Sequence, residues 1–318
     1  MIRVSEPLLQ GNEKKYLAEA IDAGEVSSGG SFVRRFEEAF AKWSGNDYAV
    51  AVSSGTAALE VAARSLTMTT ITIPAGTIIS CFIAATRAGV AVSLHDNITW
   101  KKDGAVMRCH LFGCFDRSHG KFILDDLSQY WKPIRVKDAG CYSLYANKLI
   151  TSGEGGVVVT NNKDVYERAK SYRDLCHSKE RFVHYELGYN FRMSNLQAAV
   201  ALAQLEQIEK FIEIKRRNRD LYIKYLPASV EALFMVDVPW MYLVQTKRPA
   251  GEIVSLLKAD GIECRRFFYP LHRQPCIDFP GEYPIADELW NYAFYMPSGL
   301  TLTEAEIINV CEALRKIL

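Results

Sequence analysis

Apolar positions along the first two-thirds of the chain switch between helical spacing and short continuous runs. That alternation predicts helices and strands in turn, the mark of an α/β fold with a largely parallel sheet. "NEKKYLAEAIDAG" predicts a helix stopped at Gly24 and "VRRFEEAFAKWSG" another stopped at Gly45, because glycine accepts the left-handed conformation that ends a helix. "YAVAVSSGTAALEVAARSL" reads as a buried strand, a tight turn over Ser53–Thr56 and a helix opening near Gly55. "TTITIPAG" and "GVAVSLHD" read as short strands around the helical "TIISCFIAATRAG". "GKFILDD" is an apolar strand ending in two carboxylates, and "EGGVVVTNN" a strand leaving a glycine cluster. Ser194 with Gln197 forms a capping box for a helix of about thirty residues, with Leu196, Val200, Leu205, Ile208 and Ile212 on its apolar face.

After Pro227 the pattern changes. "FMVDVPWMYLVQ" predicts strands, and "GEIVSLLKADG" and "TEAEIINVCEALRKIL" predict helices, the second capped by Thr303 with Glu306. The expected division is a large domain over 1–220, including the long helix from about 194, and a small α+β domain over 221–318.

Charge and composition exclude several function classes. With 38 basic and 37 acidic residues the formal net charge is +1, so no overall field draws the protein to nucleic acid or an anionic membrane. "MIRVSEPLLQGNEKK" has no signal-peptide apolar run and no uninterrupted apolar stretch is long enough to span a bilayer, which leads us to expect a cytoplasmic protein. The 8 cysteines include no C-x-x-C pair and fit reduced, mostly buried thiols. Cys109, His110, Cys114 and His119 cluster in sequence, but their spacing matches no zinc pattern, and the expectation is core thiols beside a partly buried histidine, with no metal.

The chemistry concentrates at three places. The Ser53-Ser54-Gly55-Thr56 turn puts unpaired amides at a helix N-terminus, where they and the helix dipole favour a phosphate; alone the signal is weak. No Walker sequence is present, and "SGEGG" precedes a strand, which argues against nucleotide-phosphate loops. Asp125 and Asp126 end a strand at its carboxyl end and must point to opposite faces; they read equally well as a solvated pair or as one ligand-holding carboxylate. Lys148, five residues after Ser143 and just before the glycines, is the third. Burial lowers a lysine's pKa and makes the amine a nucleophile. A phosphate turn, an acidic strand end and such a lysine together suggest pyridoxal 5′-phosphate, with the aspartate keeping the ring nitrogen protonated.

These blocks carry a resemblance. "SSGTAALEVAA", "IPAGTIISCFIAA", "CHLFG", "LDDLSQ", "SLYANKLITSGEGG", "GYNFRMSNLQAAVALAQLE", "RRFFYPLHRQP" and "MPSGLTLTEAEI" run in order almost end to end. Through them the sequence resembles the DegT/DnrJ/EryC1/StrS family of sugar aminotransferases, most of all its perosamine-forming members, which aminate C4 of a nucleotide-linked 4-keto-6-deoxy sugar. The resemblance implies fold type I of the pyridoxal-phosphate enzymes: a large domain with a mostly parallel sheet flanked by helices, and a small C-terminal domain. It implies L-glutamate as donor, a nucleotide sugar as acceptor, and a homodimer with shared active sites.

By the same resemblance Lys148 binds the cofactor's aldehyde carbon, and Ser143, Gly55 and Thr56 hold its phosphate. Asp126 partners the ring nitrogen, Gln129 lies near the ring oxygen and Phe82 stacks on the ring. Asn190 reaches the phosphate of the neighbouring subunit's cofactor, and Arg192 and His272 are assigned to the substrate or the donor carboxylate. Outside the resemblance Phe82 reads as core, Asn190 as a turn residue, Arg192 as a helix or interface support and His272 as a loop residue.

The chain departs from the family pattern between Phe82 and Asp126 and again between Gln129 and Ser143, both short. A parallel crossover needs about a dozen residues or more, so helices covering one sheet face are expected to be missing or reduced to loops. Two other readings are a sugar dehydratase, in which a histidine would replace the lysine, and a retired paralogue with a damaged site. Lys148 opposes the first, and the surviving Asp126, Gln129, Ser143 and Lys148 oppose the second.

Overall fold

Helices α1 (Glu13–Asp22) and α2 (Ser31–Ser44) open the chain, and the two glycines end them as expected: Gly24 has φ 69° and Gly45 has φ 75°. A computed structural model describes residues 1–96, 104–180, 182–234 and 236–318. There follow β1 (Tyr48–Val52), α3 (Gly55–Ser65), β2 (Thr70–Pro74), α4 (Ile79–Arg87), β3 (Ala91–His95), β4 (Ala105–Cys109), β5 (Phe122–Asp126), β6 (Ala139–Ser143), β7 (Gly156–Thr160), α5 (Lys163–Arg173), α6 (Asn195–Leu205) and α7 (Ile208–Tyr225).

Among the described residues the seven strands form one sheet in the order β1-β7-β6-β5-β4-β2-β3, and only β7 runs against its neighbours. This is the largely parallel sheet that the alternating pattern predicts. Both faces are apolar at the β1-β7-β6 end, where the strands read as continuous Val and Ala runs. One face packs Phe36, Phe40, Trp131 and Tyr142 beneath α1, α2 and α6; the other packs Val50, Val52, Leu59 and Val158 beneath α3, α4 and α5.

The β4–β5 end differs. Among the described residues no α-helix lies between Arg87 and Lys163, and the β4–β5 link holds only a single 3-10 turn at Leu111–Gly113. The expected loss of covering helices is therefore present here, while residues 97–103 of the shortened stretch lie outside the described residues. On the sheet face away from α3 and α4 the strands carry an ionic cluster: Arg108 donates twice to Asp125, at 2.5 and 2.7 Å, and His110 Nε2 bonds the same carboxylate at 2.9 Å.

Two expectations need correction. The helix of about thirty residues is two helices, broken at Glu206–Gln207. Tyr16 and Asn12 donate to the Glu206 carboxylate at 2.6 and 2.7 Å, and Gln207 donates to Glu13, so the N-terminal segment docks at the break. Leu205 and Ile208 both stay buried across it, which is why the apolar spacing hides the kink. The helix α5 went unread although Asn162 caps it, accepting from the amides of Asp164 and Val165.

The second sheet holds β8 (Glu231–Ala232), β9 (Tyr242–Gln245), then, past α8 (Ala250–Ala259), β10 (Arg265–Arg266) and, past α9 (Pro284–Tyr292), β11 (Ala293–Met296). Its order is β10-β11-β9-β8, all antiparallel, and α10 (Glu304–Ile317) closes the chain behind the predicted Thr303–Glu306 capping box. Of "FMVDVPWMYLVQ" only the last four residues are strand; Met235 lies outside the described residues. Asp237 is tied to Arg216 and Lys132, and Pro239 has no N–H for a ladder, so the segment before Tyr242 is a loop. Ile2 bridges to Ile262, which brings the first residues onto this unit. Among the described residues no helix is long and apolar enough to cross a membrane.

Candidate active site

The ends of β1, β6 and β7 converge on the start of α3. Ser54 is extended and its hydroxyl accepts from the Ala57 amide at 3.1 Å, capping the helix, so the first amides of α3 point outward without an intrahelical partner. Glycine is required at two positions here. A Cβ on Gly55 would lie 2.7 Å from Ser143 Cβ, and one on Gly156 would lie 2.3 Å from the Ser54 carbonyl oxygen. The small residues thus let Ser143 and the β7 start press against a helix N-terminus suited to an anion.

Alternation along β5 separates the two aspartates. Asp125 turns to Arg108 and His110; burial would raise its pKa, but the bonds from His110 and Arg108 hold it below the ordinary carboxylate value. His110 Nδ1 accepts from the Asp116 amide at 3.1 Å, which leaves its Nε2 to carry the proton toward Asp125. Asp126 turns to the other face. One oxygen accepts from the Ser128 amide at 3.0 Å and the other from the Cys81 thiol at 3.2 Å. Gln129, also buried, accepts from the Phe112 amide at 2.8 Å.

Lys148 follows β6 in a turn closed by its amide on the Tyr145 carbonyl. Its amine is buried, with the pKa lowered from 10.5 to about 8: burial lowers it, and the charges of Asp126 and Cys81 pull partly back. Its nitrogen stands 4.5 Å from the centroid of the Trp240 ring. A further buried amine, Lys215, donates to the Trp240 carbonyl at 2.6 Å and to that of Ser298.

Gly55, Thr56, Asp126, Gln129, Ser143 and Lys148 all border one cavity of about 330 Å³, and so do Trp240, Arg265, Phe268 and Tyr295 from the second sheet and its approaches. The remaining predicted residues do not border it. Phe82 is partly buried against the apolar cluster under α3 and α4. Asn190 is exposed and bridges to Asp174, which also pairs with Arg192. Arg192 borders a separate cavity of about 400 Å³ with Arg173 and His177. His272 sits in a 3-10 turn, its Nε2 3.2 Å from Asp287 and its ring 4.8 Å from that of Tyr283.

The cavity fits pyridoxal 5′-phosphate on its donor chemistry. One wall offers helix amides and hydroxyls to an anion, another a carboxylate to a protonated ring nitrogen, and a buried amine of lowered pKa stands in the same space. Sequence reasoning missed the Trp240 and Tyr295 walls, which come from the loop before β9 and from β11, far along the chain. In "RRFFYP" the sequence offers Arg265 and Arg266 as candidates for a nucleotide diphosphate, and of the two Arg265 borders the cavity, with Phe268 beside it.

Known proteins resemble this chain in sequence and in fold. The sequence model of the "DegT/DnrJ/EryC1/StrS aminotransferase family" matches residues 7–101 and 134–315, leaving the stretch with Asp126 and Gln129 unmatched. The chain is 32% identical over 356 aligned positions to the GDP-perosamine synthase of Escherichia coli O157:H7, covering 99% of this chain and 98% of that one. It is 30% identical to the Vibrio cholerae GDP-perosamine synthase, with 99% and 98% covered. The alignments exceed the chain's 318 residues, so these relatives carry residues this chain lacks. The fold is similar to that of PseC, an aminotransferase of Helicobacter pylori pseudoaminic acid biosynthesis, with TM-score 0.88 at 18% identity over 99% of this chain and 98% of that one.

Proposed function

The chain belongs to the DegT/DnrJ/EryC1/StrS aminotransferase family, and from that premise we propose that it moves an amino group from L-glutamate to C4 of a nucleotide-linked 4-keto-6-deoxy sugar. It is a sugar aminotransferase dependent on pyridoxal 5′-phosphate. The relatives named GDP-perosamine synthase support a GDP-linked sugar as the acceptor. The observation that carries the reading is the buried Lys148 amine sharing one cavity with Asp126 and the α3 N-terminus.

When bound, the cofactor would supply an electron-withdrawing ring and an aldehyde able to take up an amino group. The α3 amides at Gly55 and Thr56, with Ser143, would hold the phosphate. Asp126 would keep a proton on the ring nitrogen and Gln129 would serve the ring edge, whereas Phe82, packed in the apolar cluster outside the cavity, would reach the ring only by turning out of that cluster. Lys148 would hold the aldehyde carbon, and its amine, with a pKa of about 8, is suited to moving a proton. Arg265, half-exposed on the cavity wall, is the candidate for the nucleotide diphosphate.

The working form is a homodimer in the cytoplasm, with Asn190 serving the neighbouring copy's phosphate site. Its place outside its own cavity supports this, as do Tyr185 and Leu187, which stand 83% and 84% exposed on the same segment. Arg192 travels with that segment, and its use on a carboxylate requires release from Asp174. His272 contributes to substrate binding only if its pair with Asp287 opens. The cofactor unit spans 1–220 and the small unit 221–318.

The test is the visible spectrum of the purified protein with pyridoxal phosphate, before and after L-glutamate, followed by mass analysis of a GDP-4-keto-6-deoxy sugar incubated with both. A yellow band bleached by glutamate, and a sugar product in which an amine replaces the keto oxygen, are expected. A protein that stays colourless, or a bleached enzyme that leaves the sugar unchanged, overturns the reading at the cofactor or at the acceptor respectively.

A further inference from the structure

Cys81 on α4 and Cys109 at the end of β4 meet beside Asp126. The two sulfurs lie 3.8 Å apart and Cys81 Sγ lies 3.2 Å from Asp126 Oδ2, while one donor atom of each residue falls within 4.8 Å of the others. All three residues are buried. Two zinc–sulfur bonds of about 2.3 Å at a tetrahedral angle separate their sulfurs by about 3.8 Å, and a zinc-bound carboxylate oxygen lies about 3.5 Å from each. The Cys81–Cys109 and Cys81–Asp126 edges stand close to that tetrahedron, and the third lies within 4.8 Å.

We propose that Cys81, Cys109 and Asp126 form a binding site for a thiophilic divalent cation of the zinc class, which competes with the cofactor for Asp126. The cation site rests on these three residues alone; the competition rests also on the assignment of Asp126 to the ring nitrogen. Soft thiolates select such an ion over magnesium or calcium. Charge supports the choice. Two thiolates and a carboxylate around a divalent cation carry a net charge of −1, and the Lys148 ammonium, close enough to interact with both Asp126 and Cys81, brings the buried group to neutrality. Access exists on both sides, because Asp126 borders the large cavity and Cys109 a smaller apolar one lined by Leu111, Cys114 and Phe267.

Binding is an exchange of protons for metal. Two S–H bonds break, two metal–sulfur bonds form, both protons leave to solvent, and nothing is oxidised. The sequence could not show this grouping. It set Cys109 beside His110, which the fold turns to Asp125 instead, whereas Cys81 arrives from a different element.

The test titrates the full-length, cofactor-free protein with Cd²⁺, read by its thiolate-to-cadmium absorption in the ultraviolet, with Zn²⁺ as competitor. One equivalent is expected, with two protons released per ion at pH 7. Cys81→Ser and Cys109→Ser should each lose the absorption, so that a folding failure in one leaves the other as the test. Cys276→Ser, at an exposed thiol, should keep it. No absorption in the parent, or absorption that survives in both sulfur variants, overturns the site. Prior loading with pyridoxal phosphate should block cadmium; a yellow protein that still takes up cadmium overturns the competition. A protein that takes cadmium but never the cofactor upholds the cation site and overturns the functional reading instead.

Discussion

The Lys148 ammonium lies 4.5 Å from the centroid of the Trp240 ring, and the Trp240 indole N–H donates to the carbonyl of Asn147, the residue before Lys148, at 2.9 Å. The loop that leads into β9 therefore contacts both the lysine's turn and its charge. A desolvated cation over an indole gains about 2 kcal/mol. That attraction favours the charged amine, yet burial outweighs it and the pKa settles at about 8. Trp240→Leu removes the attraction and leaves the burial, so the Lys148 pKa should fall further, by about one unit, since one unit is ~1.4 kcal/mol. The pH dependence of the rate at which the cofactor-free protein captures pyridoxal phosphate reports it. A midpoint that stays put or moves up would refute the role of the ring.

Lys148 is also a stability liability at neutral pH. Its folded pKa of about 8 lies below the ordinary 10.5, so folding opposes its charge at pH 7 by ~3 kcal/mol, an order-of-magnitude figure. Lys148→Met keeps the stem and discards the charge. The cofactor-free variant should unfold at a higher urea concentration than the parent at pH 7 while losing transamination entirely. Measurable turnover would remove Lys148 from the mechanism; a lower urea midpoint would mean that its amine is held by bonds that outweigh burial.

The Arg108–Asp125 pair marks the face where, among the described residues, no helix covers β4 and β5. Asp125 is fully buried and Arg108 nearly so, and breaking such a pair by deleting one partner costs about 3 kcal/mol or more, because the surviving charge is left uncompensated. Arg108→Ala should therefore lower the unfolding free energy by that order. Asp125 has a folded pKa below its ordinary 3.8, so its stabilisation is present above that pH and fades as pH falls through the folded value. Without Arg108 the fading should begin at a higher pH. A double-mutant cycle with Asp125→Asn checks the coupling, and additive effects would show that the two groups do not stabilise each other.

What was legible in the sequence was local. The Ser53–Thr56 turn, the Lys148 loop with its glycines and the capping boxes at Ser194 and Thr303 each lie within a few residues, where capping and turn chemistry speak directly. The Asp125–Asp126 pair was half legible: strand alternation required opposite faces, but the choice of face depended on Arg108 and His110 from another strand. Trp240 reaches the cavity through the loop before β9 and Tyr295 through the register of β11 on β9, while the Cys81–Cys109 contact arises where α4, packed on β2 and β3, passes the end of β4. The break at Glu206 arises from the N-terminal segment's side chains, so the periodicity of the helix itself carries no trace of it.

Lys215 supplies a pH signature of its own. It is fully buried, donates to the Trp240 and Ser298 carbonyls without a carboxylate, and burial lowers its pKa from 10.5 to about 7. Between those values the unfolded chain holds a proton that the folded one has released, so stability rises with pH through that interval and is flat below about 7, where both states hold the proton. The buried thiols limit the usable window. Cys264, raised from 9.0, destabilises the fold once unfolded cysteines ionise, so the lysine effect stands clear only between about pH 7 and 8.5. Lys215→Met removes the titration along with both carbonyl bonds. Urea midpoints at several pH values in that range should rise for the cofactor-free parent and run flatter for the variant, the residual slope belonging to Lys148. Parallel lines for the two proteins would mean that Lys215 keeps its proton when folded, and that its two carbonyl bonds hold a full ammonium in place beneath Trp240.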